Sequence, residues 1–113
     1  MRPSITVGEI WLVSLDDVEG HEQRGTRPAL VIAIHRQANL VMATPFTGNM
    51  DALRFPYSYE VKPSSTNGLT TDSAVLIYQT RCLALTRFIK KIGDLEPTHS
   101  TNVKLLLKDY CGI

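Results

Sequence analysis

Short runs of apolar residues, separated by polar clusters, dominate the first three quarters of the chain. Six of these runs are rich in branched and aromatic residues or alternate apolar with polar side chains, which is typical of β-strands. They lie at residues 9–15, 28–34, 40–46, 57–61, 74–78 and 80–86. The polar turn HRQAN between the second and third runs predicts a hairpin. Strands this short and closely spaced predict a small β-barrel.

The C-terminal end has a different spacing of apolar residues. Val103, Leu106, Leu107 and Tyr110 recur at intervals of three and four, and Pro97 suits a first helical turn. Residues 96–110 are therefore predicted to form one amphipathic helix that closes the barrel. The predicted fold class is mainly β with a C-terminal α-helix.

Length and charge restrict the function only loosely. The 113 residues, 43% of them apolar, suffice for one core, so residues 1–113 are predicted to form a single domain. The formal net charge is +1, so no global field attracts the protein to nucleic acid or to a membrane. Any site for a polyanion must be a local patch.

Neither a metal site nor a membrane segment is predicted. Cys82 and Cys111 lie far apart, and neither has a second Cys or a His at the spacing of a zinc site, so no metal or cofactor is expected. The N-terminus lacks the apolar core of a signal peptide, and ALVIAI is too short to span a bilayer. These features predict a cytoplasmic protein. Lys90 and Lys91 are interpreted as part of a solvated face without a role.

The polar segment LDDVEGHEQRGTR lies between the first two predicted strands. Gly20 and Gly25 can adopt positive φ, and the second strand is predicted to begin at Pro28. A loop of this composition presents side chains. It brings an imidazole, a carboxylate, an amide and two guanidiniums to the mouth of a strand.

These residues also carry a family resemblance. GEIWLVSLD followed by GHEQRGTRPALVI is very similar to the start of the MazF/PemK/Kid family of toxin endoribonucleases, nearly residue for residue in the PemK/Kid branch. LVMATPFTGN resembles the second hairpin of that family, YQTR at 78–81 its Gln-x-Arg strand, and KKIGDLEP the approach to its C-terminal helix. The resemblance thus extends over almost the whole chain.

The resemblance implies an SH3-like barrel, a homodimer, and the toxin of a type II toxin–antitoxin system that inhibits translation and growth. The implied reaction is metal-independent cleavage of single-stranded RNA at short sequences. It leaves a 2′,3′-cyclic phosphate and a 5′-hydroxyl. The implied partner is a cognate MazE/PemI-like antitoxin, which lays an acidic, disordered tail over the RNA groove.

Such a reaction needs a base for the 2′-hydroxyl, a cation for the phosphorane and an acid for the leaving oxygen. Arg27, which aligns with the Arg of the family's G-x-R-P, can clamp two phosphate oxygens and pass on a proton. The alternative is a surface arginine paired with Glu22. Thr47 aligns with the hydroxyl residue after the second hairpin and is predicted to donate to a phosphate oxygen. An ordinary turn threonine is the alternative for Thr47, and Thr44 is its competitor for the role.

The base is predicted to be His21, whose unperturbed pKa of about 6.5 suits proton transfer near neutral pH. Glu22 is the alternative base, and it can also orient Arg27. Kid-type chains carry an Arg and an Asp before the Gln of the later strand, where this chain has Leu76 and Tyr78. That catalytic pair is therefore excluded here. Tyr78 offers either a ring for base stacking or core packing at a strand end.

The remaining predicted RNA contacts combine amides, cations and an aromatic ring, the mixture that single-stranded RNA recognition uses. They are Gln23 and Arg24 in the opening loop, Arg54 and Phe55 in the next loop, and Gln79 and Arg81, which are expected to alternate on one strand face. Apolar groups near Trp11 and Phe55 are expected to be buried in a two-fold dimer.

A binding protein without catalytic activity is the alternative function. The same barrel is, by resemblance, that of the CcdB-type gyrase poison, which acts on a protein target. The clustered His, Glu and Arg of GHEQRGTRP favour the ribonuclease, because a protein-binding poison does not need them.

Overall fold

The computed structural model describes residues 4–15 and 25–113, and in this part of the chain seven strands are followed by one α-helix. The strands are β1 Glu9–Ser14, β2 Thr26–His35, β3 Leu40–Thr47, β4 Ser58–Val61, β5 Ser73–Leu76, β6 Arg81–Ala84 and β7 Phe88–Asp94, and the helix is α1 Pro97–Cys111. Short 3₁₀ helices occupy Met50–Arg54, Ile77–Gln79 and Leu85–Arg87.

All strand pairings are antiparallel, in the order β4-β5-β3-β2-β1-β7, and β6 also pairs with β3. β3 pairs along its start with β6 and along its end with β5, so the sheet divides at this strand. A mainly antiparallel β fold with a C-terminal helix is therefore confirmed. The predicted helix 96–110 corresponds to Pro97–Cys111, and it ends at Gly112, which adopts a left-handed conformation.

β1 and β2 are buried on both faces, which explains why they read as nearly continuous apolar runs. Successive side chains of a strand point to opposite faces. Ile10 and its cross-strand partner Leu30 therefore lie in one core cluster, whereas Trp11 and its partner Ala29 lie in the other. α1 covers the first of these clusters with Val103, which is fully buried.

The predicted strands at 74–78 and 80–86 are both too long. β5 ends at Leu76, and the chain then turns through the 3₁₀ helix Ile77–Gln79. Thr80 closes this turn, since both its backbone N–H and its Oγ1 donate to the Ile77 carbonyl oxygen, at 3.1 and 2.7 Å. A side chain that satisfies the backbone locally competes with a strand.

β7 is a strand that the sequence pattern did not predict. It pairs with β1, but two register irregularities interrupt the pairing, so FIKKIGD lacks a regular alternation. Lys91 is part of this pairing, because its Nζ lies 3.0 Å from Glu9 Oε2 and 3.3 Å from Asp94 Oδ1. Lys91 is exposed, and its ion pair with Glu9 joins β7 to β1.

Glu9 joins β1 to β7 as a buried carboxylate. Burial raises the pKa of Glu9, but hydrogen bonds from the Trp11 indole, the Thr6 N–H and Lys91 outweigh it and hold the pKa below its ordinary value near 4.5. The distances are 2.9 Å from Trp11 Nε1 and 2.8 Å from Thr6 N to Glu9 Oε1. Glu9 is therefore ionised at neutral pH, and its charge compensates that of Lys91.

The loop between β4 and β5 packs tightly onto β7. Asn67 is fully buried, and its side chain accepts from the N–H groups of Ser64 and Leu69, each at 3.0 Å. Gly68 follows at φ +71, and a Cβ there would lie 2.3 Å from the Ile92 carbonyl oxygen. The loop therefore has one closely fitted position against the sheet.

We expect Gly68→Ala to destabilise the fold much more than Gly8→Ala. Both glycines have positive φ, so alanine at either position is strained by roughly 1–2 kcal/mol. Only Gly68 adds a backbone clash, because nothing lies within 4 Å of a Cβ at Gly8. Urea unfolding should show a further loss of about 1–3 kcal/mol for Gly68→Ala, as for overpacked sites. Equal losses in the two variants would contradict the close packing.

Candidate active site

Arg27 lies in β2 rather than in the preceding loop, because β2 begins at Thr26 and not at Pro28 as predicted. The β2–β3 register pairs Ala29 with Pro45 and Leu30 with Thr44. Continued by two residues, this register places Arg27 opposite Thr47. On its other side Thr47 pairs with Ala74 of β5. Two strand ends thus bring together the guanidinium and the hydroxyl that the sequence places twenty residues apart.

A hollow of about 210 Å³, here called the catalytic hollow, contains both residues. Hydroxyl groups are unusually frequent around it. Its lining consists of Thr26, Arg27, Pro28, Phe46, Thr47, Gly48, Leu69, Thr70, Thr71 and Ser73. One cation surrounded by neutral hydroxyl donors is an arrangement suited to a phosphate group.

Thr47 is the better of the two threonine candidates. Its Oγ1 accepts from the Asn49 N–H at 3.2 Å, so its own hydroxyl hydrogen can still be donated to a ligand. Thr44 is fully buried and shares a 2.7 Å hydrogen bond with Thr80. Thr44 therefore belongs to the packing between β3 and the 77–80 turn and does not line the hollow.

The Arg27 side chain is exposed, and within residues 4–15 and 25–113 no carboxylate forms an ion pair with it. Among the described residues, the Arg27 charge therefore has no carboxylate partner, and the side chain lines the catalytic hollow. His21, Glu22, Gln23 and Arg24 lie outside the described residues. The described ends of that segment are joined by a hydrogen bond from Leu15 N–H to the Gly25 carbonyl oxygen, at 2.8 Å.

A second hollow, of about 630 Å³, is here called the aromatic hollow. It brings together three of the predicted RNA contacts, Phe55, Tyr78 and Gln79. Pro56, Tyr57 and Tyr110 complete its lining. Tyr78 is partly buried and lines this hollow, so part of its side chain is accessible there.

Tyr57 is held in an unusual conformation at this hollow, with φ of 62°. A bulky residue rarely adopts the left-handed region, and such strain concentrates at functional sites. Its hydroxyl donates to Asp109 Oδ2 at 2.8 Å, its ring meets Tyr110 edge-on at 5.0 Å, and its carbonyl oxygen accepts from Ile77 N–H. The hydrogen bond to Asp109 raises the pKa of Tyr57, so the phenol remains a donor.

Two other predicted RNA contacts, Arg54 and Arg81, lie outside the lining of both hollows. Arg54 lies over the Phe55 ring, with 5.1 Å from Cζ to the ring centroid. Arg81 lies in β6 opposite Ala43 and lines neither hollow. Because Gln79 is in a 3₁₀ helix, the prediction that it alternates with Arg81 on one strand face is wrong.

Sequence reasoning missed Tyr57 and Tyr110 as site residues. Tyr110 was assigned to the packing face of the helix, yet it is 49% exposed. The sequence offers one indication of an aromatic surface. Phe55, Tyr57 and Tyr59 lie close together, and Tyr110 lies near the end of the helix.

A family model for the PemK-like, MazF-like toxins of type II toxin–antitoxin systems matches residues 6–110. The chain belongs to this family. Over 43 residues it is 54% identical to the endoribonuclease PemK of Escherichia coli, a match that spans 35% of this chain and only 32% of that protein. It is 30% identical to the endoribonuclease MazF of Staphylococcus saprophyticus over 79% of this chain and 76% of that one.

Solved structures agree with this assignment. MazF of Deinococcus radiodurans matches with a TM-score of 0.80 at 24% identity, covering 100% of this chain and 99% of that one. In its complex with MazE the match has a TM-score of 0.70 at 25% identity, covering 95% of each chain. The predicted family and toxin class are confirmed. The curated relatives of this family are endoribonucleases, which supports the predicted endoribonuclease activity. They do not support the alternative of a CcdB-like binding protein.

Two further observations concern the described residues only. None of their helices is long and apolar enough to cross a membrane. They also contain no group of three or more His, Cys, Asp or Glu side chains placed to hold a metal ion. Cys82 and Cys111 are both exposed and form no disulfide.

Proposed function

We propose that this chain is an endoribonuclease toxin that cleaves single-stranded RNA by attack of a 2′-hydroxyl on the adjacent phosphorus. Residues 1–113 would act as one toxin domain in the cytoplasm. The observation that carries the proposal is the catalytic hollow, in which Arg27 lies with Thr47 and forms no ion pair with a carboxylate of residues 4–15 or 25–113. Family membership supports the same activity.

In the proposed reaction Arg27 stabilises the phosphorane with its planar pair of donors and passes a proton to the departing 5′-oxygen. Thr47 donates a hydrogen bond to a non-bridging oxygen. His21 or Glu22 takes the proton from the 2′-hydroxyl. The products are a 2′,3′-cyclic phosphate and a 5′-hydroxyl, and no step requires a metal ion.

The aromatic hollow is proposed to bind an unpaired base of the substrate. Phe55, Tyr78 and Tyr110 offer ring faces or edges, and each stacked base is worth about 1–3 kcal/mol. Gln79 supplies an amide that can both donate to and accept from a base edge. Gln23, Arg24, Arg54 and Arg81 are proposed to contribute further contacts outside this hollow.

Two protein partners are proposed. The first is a second copy of the chain, which would cover exposed apolar groups near Phe55, while the Phe55 ring itself stays in the aromatic hollow. Trp11 does not contribute to such a surface, because it lies in the core at 6% exposure. The second partner is an antitoxin, by analogy with the complex of MazF and MazE. A monomer in light scattering at micromolar concentration would argue against the dimer.

We expect cleavage of a mixed-sequence RNA to continue in excess chelator and to leave a 5′-hydroxyl. RNA with a single 2′-deoxy nucleotide at the scissile position should resist, because the nucleophile is missing. Mapping of the 5′-ends after brief expression supplies the scissile position. Cutting of the deoxy substrate would exclude the 2′-hydroxyl mechanism. Intact RNA together with inhibition of gyrase supercoiling would instead favour the protein-binding alternative.

A further inference from the structure

A second groove continues from the catalytic hollow across the sheet. Here called the lysine groove, it has a volume of about 510 Å³ and is lined by Leu12, Pro28, Leu69, Thr70, Lys90 and Ile92, among others. Pro28, Leu69 and Thr70 also line the catalytic hollow. The two are therefore adjoining parts of one surface, and a strand bound at Arg27 can extend into the groove.

Strand pairing determines where the lysine of this groove lies. Leu12 of β1 pairs with Pro28 of β2 on one side and with Lys90 of β7 on the other. Cross-strand partners point to the same face, so these three side chains form a row. Two strand spacings separate Lys90 from Pro28, which is roughly 10 Å between their backbones. Arg27, the residue before Pro28, points away from this row because successive side chains of a strand alternate, so Lys90 and Arg27 face different phosphates.

Lys90 and Lys91 differ in their electrostatic surroundings. Lys91 is held by Glu9 and Asp94, and this contact raises the pKa of Lys91 and compensates its charge. Lys90 is exposed, and no carboxylate in the described part of the chain forms an ion pair with it. Lys90 is therefore the cation of this groove that is available to an anionic ligand.

The floor of the groove is apolar and rigid. Leu12, Pro28, Leu69 and Ile92 supply its surface, and the close fit of Gly68 against Ile92 fixes the loop that forms one wall. An apolar floor with a hydroxyl and one cation at its edge suits a nucleotide, whose ribose and base pack while its phosphate is paired. Among the described lining residues, an acidic peptide would find one lysine without a carboxylate partner.

We infer that the lysine groove binds the nucleotide next to the cleavage site, with Lys90 contacting its flanking phosphate. This inference rests on the proposed ribonuclease function and extends it to substrate positioning. Lys90 belongs to the row of Leu12 and Pro28, whereas the Arg27 side chain points away from that row. Lys90 contributes to binding, not to the chemical step.

The test is RNA binding at several salt concentrations, with an uncleavable substrate that carries 2′-deoxy at the scissile position. Lys90→Met should weaken binding and lower the slope of log K against log salt by about 0.7, the value for one phosphate contact in single-stranded nucleic acid. Lys104→Met is the matched control, since Lys104 is an exposed lysine of α1 that lines neither the hollows nor the groove. Both variants keep the apolar stem of lysine.

Neutral methylphosphonate linkages, introduced one at a time, locate the contact. At one flanking position the wild type and Lys90→Met should bind equally well, because the phosphate charge that Lys90 recognises is gone. If wild type cleaves RNA but Lys90→Met has the same slope as Lys104→Met, the inference is overturned while the ribonuclease function stands. The inference is also overturned, and the ribonuclease function again stands, if Lys90→Met weakens only the binding of an acidic peptide. If the wild type neither binds nor cleaves RNA, the proposed function itself fails.

Discussion

Arg27→Ala should lower the rate of RNA cleavage by roughly 100-fold or more, the loss typical of a group that stabilises transition-state charge. The physical reason is the position of Arg27 in the catalytic hollow with no described carboxylate to compensate it. The charge on the phosphorane oxygens develops only during the reaction. Binding of the uncleavable substrate should therefore weaken far less than the cleavage rate, which single-turnover kinetics separates from affinity.

Two controls sharpen this prediction. Arg27→Lys should restore little activity, because an ammonium cannot make the two-pronged contact of a guanidinium. Arg54→Ala removes an exposed arginine that lies over the Phe55 ring, and it should weaken binding without a comparable loss in the chemical step. Thermal unfolding of all three variants should resemble that of the wild type, since Arg27 is exposed. Cleavage by Arg27→Ala at the wild-type rate would refute the site assignment.

The fold was predictable where burial controls the pattern of residues. Ile10 and Trp11 face opposite clusters, so β1 is apolar throughout, and β2 is similar. β7 was not predictable in this way, because two register irregularities break its alternation and Lys91 is stabilised by Glu9, a partner more than eighty residues away. A pattern of neighbouring positions in the sequence cannot predict an ion pair between residues on different strands.

The candidate site residues follow from the family resemblance more than from residue patterns. Arg27 and Thr47 were identified by alignment, and the strand register explains why they meet. Tyr110 was missed because helical spacing alone does not distinguish a ring that packs in the core from one at the edge of a hollow. The sequence does not distinguish Lys90 from Lys91, because the difference between them arises from tertiary contacts.

The identity of the base gives the second large expected effect. The chain has three histidines, and the structure assigns local contacts to two of them. His99 Nδ1 shares a 2.7 Å hydrogen bond with the Tyr59 hydroxyl, and His35 Nδ1 accepts from the Ala38 N–H at 3.1 Å. His21, which lies outside the described residues, is the histidine that we propose as the base. Glu22 beside it is the alternative.

If His21 is the base, the wild-type cleavage rate should fall as the pH drops below about 6.5, where an unperturbed imidazole gains its proton and can no longer accept another. His21→Ala should then slow cleavage by roughly 100-fold or more and abolish this acid limb, as expected for a lost general base. His35→Ala is the matched control and should keep both the rate and the limb, because His35 bonds Ala38 in its own turn and lines neither hollow. Glu22→Gln tests the alternative. If His21→Ala keeps the rate and the limb while Glu22→Gln loses them, Glu22 takes the proton and His21 is not catalytic.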